Sequence, residues 1–349
     1  MPDASRAALA LVDEAALRTV LTRWLGPGDA LEVDLLAGGA SNLTYRVRVD
    51  GRPYVLRRRP MGVSAPKAHD MGREYRVLDA LGGRNLPVPT VYGYDESDDV
   101  VGAPFYVMDF IDGVVIHDVA AAGVLDAEQA EAASLSLVKT LSALHRIAAD
   151  DLAIEKFGRP EGFVSRRIDG WLAQWNSVEH RDFPEVERLG KILKENLPEQ
   201  RYSGLVHGDY RLGNVIIDPA QGCRVVAVVD WEMSTLGDQL TDLAHLLVYW
   251  EPTRGRVTHP AQLISAAPGF PNGSRLVELY EKESGRTVSD LPYYLAFEHW
   301  RAAIIKDAIY LRRRSGAMGA AGDVEAFGAT IDAHLQEASE ILRSTGLAA

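Results

Sequence analysis

His207–Glu232 reads HGDYRLGNVIIDPAQGCRVVAVVDWE, and the reading of the whole chain turns on this stretch. Apolar runs at Val215–Ile217 and Val225–Val229 flank the turn-forming residues Asp218-Pro219-Ala220-Gln221-Gly222, so two short strands joined as a hairpin are predicted. His207, Asp209 and Asn214 precede the first strand, and Asp230 ends the second. A hairpin brings its two ends together, which makes Asn214 and Asp230 expected neighbours. One carboxylate and one amide oxygen form a partial shell for a hard cation such as Mg2+, which keeps waters and takes phosphate oxygens as further ligands. Asp209, five residues before Asn214, then stands where a group accepts a proton from an attacking hydroxyl. Taken singly, Asp209 and Asn214 read more readily as turn residues. The spacing HGDxxxxN is another matter, since at average residue usage about one chain in a thousand of this length would carry it by chance.

Outward from that stretch, the 349 residues divide in texture. Leu17, Val20, Leu21, Trp24 and Leu25 fall at helical spacing before the breaker Gly26-Pro27-Gly28. Tyr45, Val47 and Val49 then alternate with Thr44, Arg46 and Arg48, and Asp50-Gly51 turns the chain into PYVLRR, a second strand. A helix is expected from about Pro66 to Leu81, and short strands at 90–95 and 104–110. Beyond Gly113 helices dominate. Asp126 is a candidate cap for one that carries Leu135, Val138, Leu141, Leu144 and His145 on one stripe. A loop is expected at 158–170, then Trp171 and Trp175, and from Asp242 onward helices again. The layout is a small sheet-plus-helix unit, 1–112, followed by a larger helical unit, 113–349, with one embedded hairpin.

Composition narrows the class. With 47% hydrophobic and 25% charged residues the chain is globular, and its single cysteine, Cys223, cannot form an internal bridge. Such sparing use fits a cytoplasmic protein. The charges scattered through the first 25 residues do not leave the apolar block of a signal peptide, and no apolar run of 18 residues is present to span a membrane. A formal net charge of -12 argues against a protein that coats nucleic acid, because such binding neutralises many phosphates at once. A small anion in a locally basic pocket remains compatible with it.

HGDYRLGN followed by VVAVVDWE resembles the core of the aminoglycoside phosphotransferase and choline kinase family, relatives of the protein kinases. The resemblance implies an α+β, protein-kinase-like two-lobed fold, with a small antiparallel-sheet N-lobe and a larger, mainly helical C-lobe. It implies an ATP- and Mg2+-dependent phosphotransferase acting on a hydroxyl of a small molecule. By it Asp209 is the base, His207 braces the loop, and Asn214 and Asp230 hold the metal. The turn Gly38-Gly39-Ala40-Ser41-Asn42 sits where a loop covers the phosphates, with Ser41 and Asn42 as contacts. Val55 and Arg57 share one face of their strand, and Arg57 stands where the family usually has lysine. Glu74 matches that cation's acidic partner, though alone it reads equally as an exposed helix charge. PFYVMDFIDG resembles the interlobe strand, with Met108 and Phe110 against adenine, and reads as well as plain core. Arg58 should face solvent. Asp238 and Asp242 fit the family, while Asp238 or Thr241 serves equally as a helix cap.

For the acceptor, Arg159, Arg166 and Arg167 beside Trp171 and Trp175 favour an anion. Arg312–Arg314 reads equally as surface decoration. VLRRRP, REYRVL, GRPEGF and SRRIDGW resemble the kinase-like domains that occur alone or fused to acyl-CoA dehydrogenases, which implies a hydroxy acid or hydroxyacyl-CoA acceptor. The alternatives are an aminoglycoside- or choline-type kinase, and a catalytically impaired nucleotide-binding pseudokinase, which Arg57 keeps open. A metal-dependent hydrolase ranks last for want of a second ligand set.

Overall fold

The alternation around Asp50-Gly51 forms a hairpin because both turn residues adopt left-handed φ, +48° and +81°, the conformation a tight two-residue hairpin requires. The structure, a computed structural model, describes residues 13–36, 42–59, 70–152, 154, 157–178, 180–251, 260–315 and 324–347. The chain divides into two units: Met1–Gly113 with Leu152–Ile154 and Val226–Ser234, and the remainder. Its antiparallel sheet and helical content form the α+β, protein-kinase-like fold.

In the first unit, α1 (Glu14–Leu25) starts at Asp13, whose carboxylate accepts the Ala15 and Ala16 N–H groups. Strands β1 (Leu31–Leu35), β2 (Leu43–Val49), β3 (Arg52–Arg58), β4 (Val91–Asp95) and β5 (Phe105–Asp109) form one antiparallel sheet in the order β1-β2-β3-β5-β4. Tyr45, Val47, Tyr54, Leu56, Phe105 and Val107 pack with Leu17, Val20 and Leu21 of α1 in one core cluster. The sheet is therefore covered on this face, and Arg58 departs from expectation. It is 2% exposed, with Nη2 donating to the Tyr45 hydroxyl at 3.0 Å and the guanidinium over that ring. Alternation marks an outer face only where the sheet has one, and both faces of β3 are buried. Trp24 lies so close over Gly93 that a Cβ there would come within 2.2 Å of its ring, at the register shift between β4 and β5.

Helix α2 (Met71–Leu81) is capped by Asp70, which is extended and accepts the Arg73 N–H at 2.9 Å; the expected start at Pro66 lies outside the described residues. It buries Glu74 along with Val77, Leu78 and Leu81.

The second unit holds α3 (Val119–Ala122), α4 (Ala127–His145), α5 (Phe163–Ser177), α6 (Pro184–Glu195), α7 (Leu240–Val248), α8 (Gly273–Ser284), α9 (Leu291–Arg314) and α10 (Val324–Ser344). Asp126 caps α4 in a full capping box with Gln129. Val138, Leu141, Leu144 and His145 are buried, while Leu135 is half-buried. The expected loop at 158–170 ends at Gly162, in left-handed conformation, and α5 carries Arg166 and Arg167. Phe163, Val164, Ile168 and Trp175 bury the inner face of α5, so helical packing prevails over the Gly- and Arg-rich local sequence. β6 (Ser203–Val206) pairs antiparallel with β9 (Thr235–Asp238), a strand its turn-like residues TLGD conceal. β7 (Val215–Asp218) and β8 (Arg224–Val228) form the expected two-stranded pair. No helix among the described residues is long and apolar enough to cross a membrane.

Candidate active site

Two clusters of charged side chains gather the residues singled out by sequence, one in each unit. In the first, β3 places Arg57 and α2 places Glu74, 2.7 Å apart from Nη1 to Oε1. Nη2 of Arg57 donates to Asp230 Oδ1 at 3.0 Å, and the Trp231 N–H donates to Glu74 Oε1 at 3.2 Å. Glu74 is fully buried, which removes the reading as an exposed helix charge. Burial works against the charge on Arg57, but Glu74, Tyr106 and Asp230 outweigh it and hold the guanidinium well above its ordinary value. Asp230 adopts φ +67°, an uncommon conformation for a residue other than glycine. The segment that follows is tied down by Arg73, whose Nη2 donates to the Ser234 carbonyl at 2.7 Å. Asn42 Nδ2 donates to Glu232 at 2.9 Å. Ser41 lies outside the described residues. Val55 and Met108 are buried register partners across β3 and β5, and Phe110 is half-buried just past β5.

The second cluster is built on the loop from His207 to Asn214. Asp242, in the first turn of α7, accepts the N–H groups of His207 at 2.7 Å and Gly208 at 2.8 Å. Gly208 has φ +85°, which only glycine adopts without strain. His145 Nε2 lies 3.4 Å from the same carboxylate. Burial pushes Asp242 up, but His145, His207 and the Gly208 N–H prevail and keep it below its ordinary value. The buried Tyr210 hydroxyl donates to the Leu137 carbonyl on α4 at 2.8 Å. With the loop pinned at its start and at Tyr210, the His207 ring accepts the Asp209 N–H through Nδ1 at 3.2 Å.

Both carboxylate oxygens of Asp209 are engaged. Oδ1 accepts from Arg211 Nε at 3.2 Å and meets His245 Nε2 at 2.8 Å, and Oδ2 accepts from Asn214 Nδ2 at 2.6 Å. Burial works to raise the Asp209 carboxyl, yet the His245 hydrogen bond, with His245, Arg211 and His207 nearby, holds it well below the carboxylate range. Asn214 directs its Nδ2 to the carboxylate and, at 2.7 Å, the carbonyl of Asp209, which leaves its amide oxygen available to accept a hydrogen bond or coordinate a cation. Asp230 uses Oδ1 on Arg57. Both are hard oxygen donors of the kind Mg2+ takes. Among the described residues, no group of three or more His, Cys, Asp or Glu side chains could hold a metal. Asp230 belongs to the first unit and Asn214 to the second.

The sequence matches the profile described as "Phosphotransferase enzyme family" over residues 32–276. The chain belongs to that family. The chain is 35% identical over 280 residues to acyl-CoA dehydrogenase family member 11 of Homo sapiens, covering 78% of this chain and 35% of that protein. It spans about a third of the length of the curated relatives it matches. A crystal structure of a candidate aminoglycoside phosphotransferase from Ralstonia eutropha superposes with TM-score 0.81 at 29% identity, over 95% of this chain and 98% of that one. Aminoglycoside phosphotransferase APH(4)-Ia, solved as a ternary complex with AMP-PNP and hygromycin B, shares the fold with TM-score 0.60 at 18% identity, over 92% and 98%.

Sequence reading missed His245, Glu298 and Arg301. His245 sits in the apolar run DLAHLLV, which reads as core. Glu298 and Arg301 are buried on α9, and Arg301 Nε donates to Glu298 at 2.9 Å. A Glu three residues before an Arg on a helix is an ordinary surface pattern, and nothing local marks this pair as buried.

Proposed function

We propose that this phosphotransferase moves the γ-phosphoryl group of ATP, with Mg2+, to a hydroxyl of a small anionic acceptor, a hydroxy acid or a hydroxyacyl-CoA. The observation that carries the transfer is Asp209: an ionised carboxylate, fixed through both oxygens, on a loop pinned by Asp242 and Tyr210. In this reading Asp209 receives the acceptor's proton as its oxygen attacks phosphorus, and His207 holds the Asp209 backbone. Catalysis of this type is mostly positioning and charge neutralisation, so a rigid loop serves it. Asn214 and Asp230 would hold Mg2+, which when bound neutralises phosphate charge. Asn42 and Ser41 would cover the phosphates, and Val55, Met108 and Phe110 would line the adenine site. Arg57 would keep the nucleotide-binding unit's charge in place through Glu74. The binding of an ATP analogue by APH(4)-Ia supports the nucleotide assignment. Residues 1–112 form the nucleotide-covering lobe in this account, and 113–349 the lobe of the base and acceptor.

An anionic acceptor is supported by Arg167. It is stacked against Phe163 and Trp171, with its guanidinium carbon 5.8 and 5.5 Å from their ring centroids, and no described carboxylate pairs with it. Burial, with Arg301 nearby, lowers it to about 10. A cation that pays for desolvation without an internal partner is suited to meet one on a ligand. The match to acyl-CoA dehydrogenase family proteins fits an acyl-CoA acceptor. A cytoplasmic setting agrees with the single free thiol of Cys223, which is buried. The test is ADP release with Mg2+ and ATP across hydroxy acids, hydroxyacyl-CoA esters, aminoglycosides and choline. Turnover with the anionic acceptors alone is expected. Turnover with aminoglycosides or choline instead would overturn the acceptor class, and ATP binding without metal or any turnover would favour the pseudokinase.

A further inference from the structure

His245 is buried on α7 with both ring nitrogens engaged. Nε2 lies 2.8 Å from Asp209 Oδ1, while Nδ1 lies 3.1 Å from Glu298 Oε2 and 2.7 Å from Arg301 Nη2. A guanidinium only donates, so at 2.7 Å the Nδ1 atom accepts and the ring proton sits on Nε2, aimed at Asp209. A doubly protonated ring would donate to Asp209 through Nε2 as well. Arg301 is itself fixed, since its Nε is held by Glu298. Tyr249 flanks the ring with centroids 4.7 Å apart, and Arg211 approaches the same carboxylate oxygen. A leucine at this position would fill the core without the desolvation cost of an imidazole. The polar choice therefore points to a task at Asp209.

We propose that His245, locked by Arg301 and Glu298, is a positioning residue that, with Arg211, fills both acceptor positions of Asp209 Oδ1 and so assigns Oδ2, which accepts from Asn214 alone among the described residues, as the oxygen that takes the acceptor's proton. The inference rests on Asp209 being the base. In the step itself the acceptor's O–H bond breaks and its proton goes to Oδ2. The new O–P bond forms as the γ-phosphorus separates from its bridging oxygen, and ADP leaves with that electron pair. With Oδ1 free to rotate into the proton's path, the carboxylate would present two competing orientations, and misplacement on the order of 1 Å costs about a hundredfold in rate.

Two measurements on the full chain test this. The first needs no turnover: NMR of the 15N-labelled histidine side chains should show the His245 ring protonated at Nε2, with its resonance shifted by Asp209→Asn. A neutral ring protonated only at Nδ1 overturns the proposal. The second uses Mg2+, ATP and 3-hydroxybutyryl-CoA. His245→Ala should lower kcat by about tenfold to a hundredfold with the KM for ATP unchanged, and His245→Gln, which retains an N–H donor, should recover most of it. In an Asp209→Asn background, His245→Ala should cost nothing further. Equal fractional losses in both backgrounds would mark a general packing role and overturn the proposal. If the wild type transfers phosphate to no acceptor, the proposed function falls, and the NMR result still decides the role of His245.

Discussion

The two charged clusters hold their carboxylates by different means. Around Arg57 an anion is matched by a full cation: Glu74 is buried against the guanidinium, and Asp230 shares it. Around Asp209 the donors are the Asn214 amide, the His245 ring and Arg211, and Asp242 is held by backbone N–H groups and His145. A buried ion pair is costly to break, because the surviving partner is left charged in a poor dielectric. A carboxylate held at both oxygens by several donors has a fixed orientation. Under the proposed function, the first arrangement would support the nucleotide site and the second would orient the base.

The sharpest way to break this contrast is Asp209→Asn. Turnover should fall by about 10²- to 10⁴-fold, while nucleotide affinity, read by calorimetry, stays near wild type; parallel losses of both would merge the two clusters into one role. Arg57→Ala should act on the fold instead, costing about 3–5 kcal/mol in urea unfolding because Glu74 is left unpaired. Arg57→Lys, which keeps the charge but not the fork, should fall between the two. A wild-type melt for Arg57→Ala would refute the structural assignment.

Acid should separate the fold from both clusters. His299 is buried with Nδ1 2.9 Å from that of His334, and burial depresses it to about 4 despite the opposing pull of Glu298. A histidine depressed in the fold must charge as pH drops. Its contribution is present above about pH 6.5 and lost as pH falls toward 4, worth about 3 kcal/mol. Urea unfolding of wild type and His299→Phe between pH 7 and 4.5 should show a smaller acid loss in the variant, and identical slopes would remove His299 from the account. The smallest effect is expected at Asp242→Asn, about 1–3 kcal/mol from weakened bonds to the loop N–H groups. Turnover should fall more than stability there, and a pure stability loss would make Asp242 a packing residue only.

Much of this was legible in the chain. The hairpin residues, the cap Asp126 and the HGDYRLGN spacing are local signals, and the local structure follows them. The strand β9 was hidden because TLGD has turn composition, and it forms only when β6 offers it a partner. The start of α5 was masked in the same way by Gly158, Pro160 and Gly162, which precede an apolar face that tertiary packing rewards.

The sequence by itself determined the family and marked Asp209, Asn214 and Asp230 as the candidate site residues, since residue types and their spacing are set within a few adjacent turns. Only the tertiary structure decided how those groups are held. Arg58 is buried because α1 packs on a face that alternation assigns to solvent. His245 reaches Asp209, and Arg301 reaches His245, because helices distant in sequence converge on one loop. Contacts across such separations depend on which surfaces are covered, and periodicity along one segment does not record what comes to cover it.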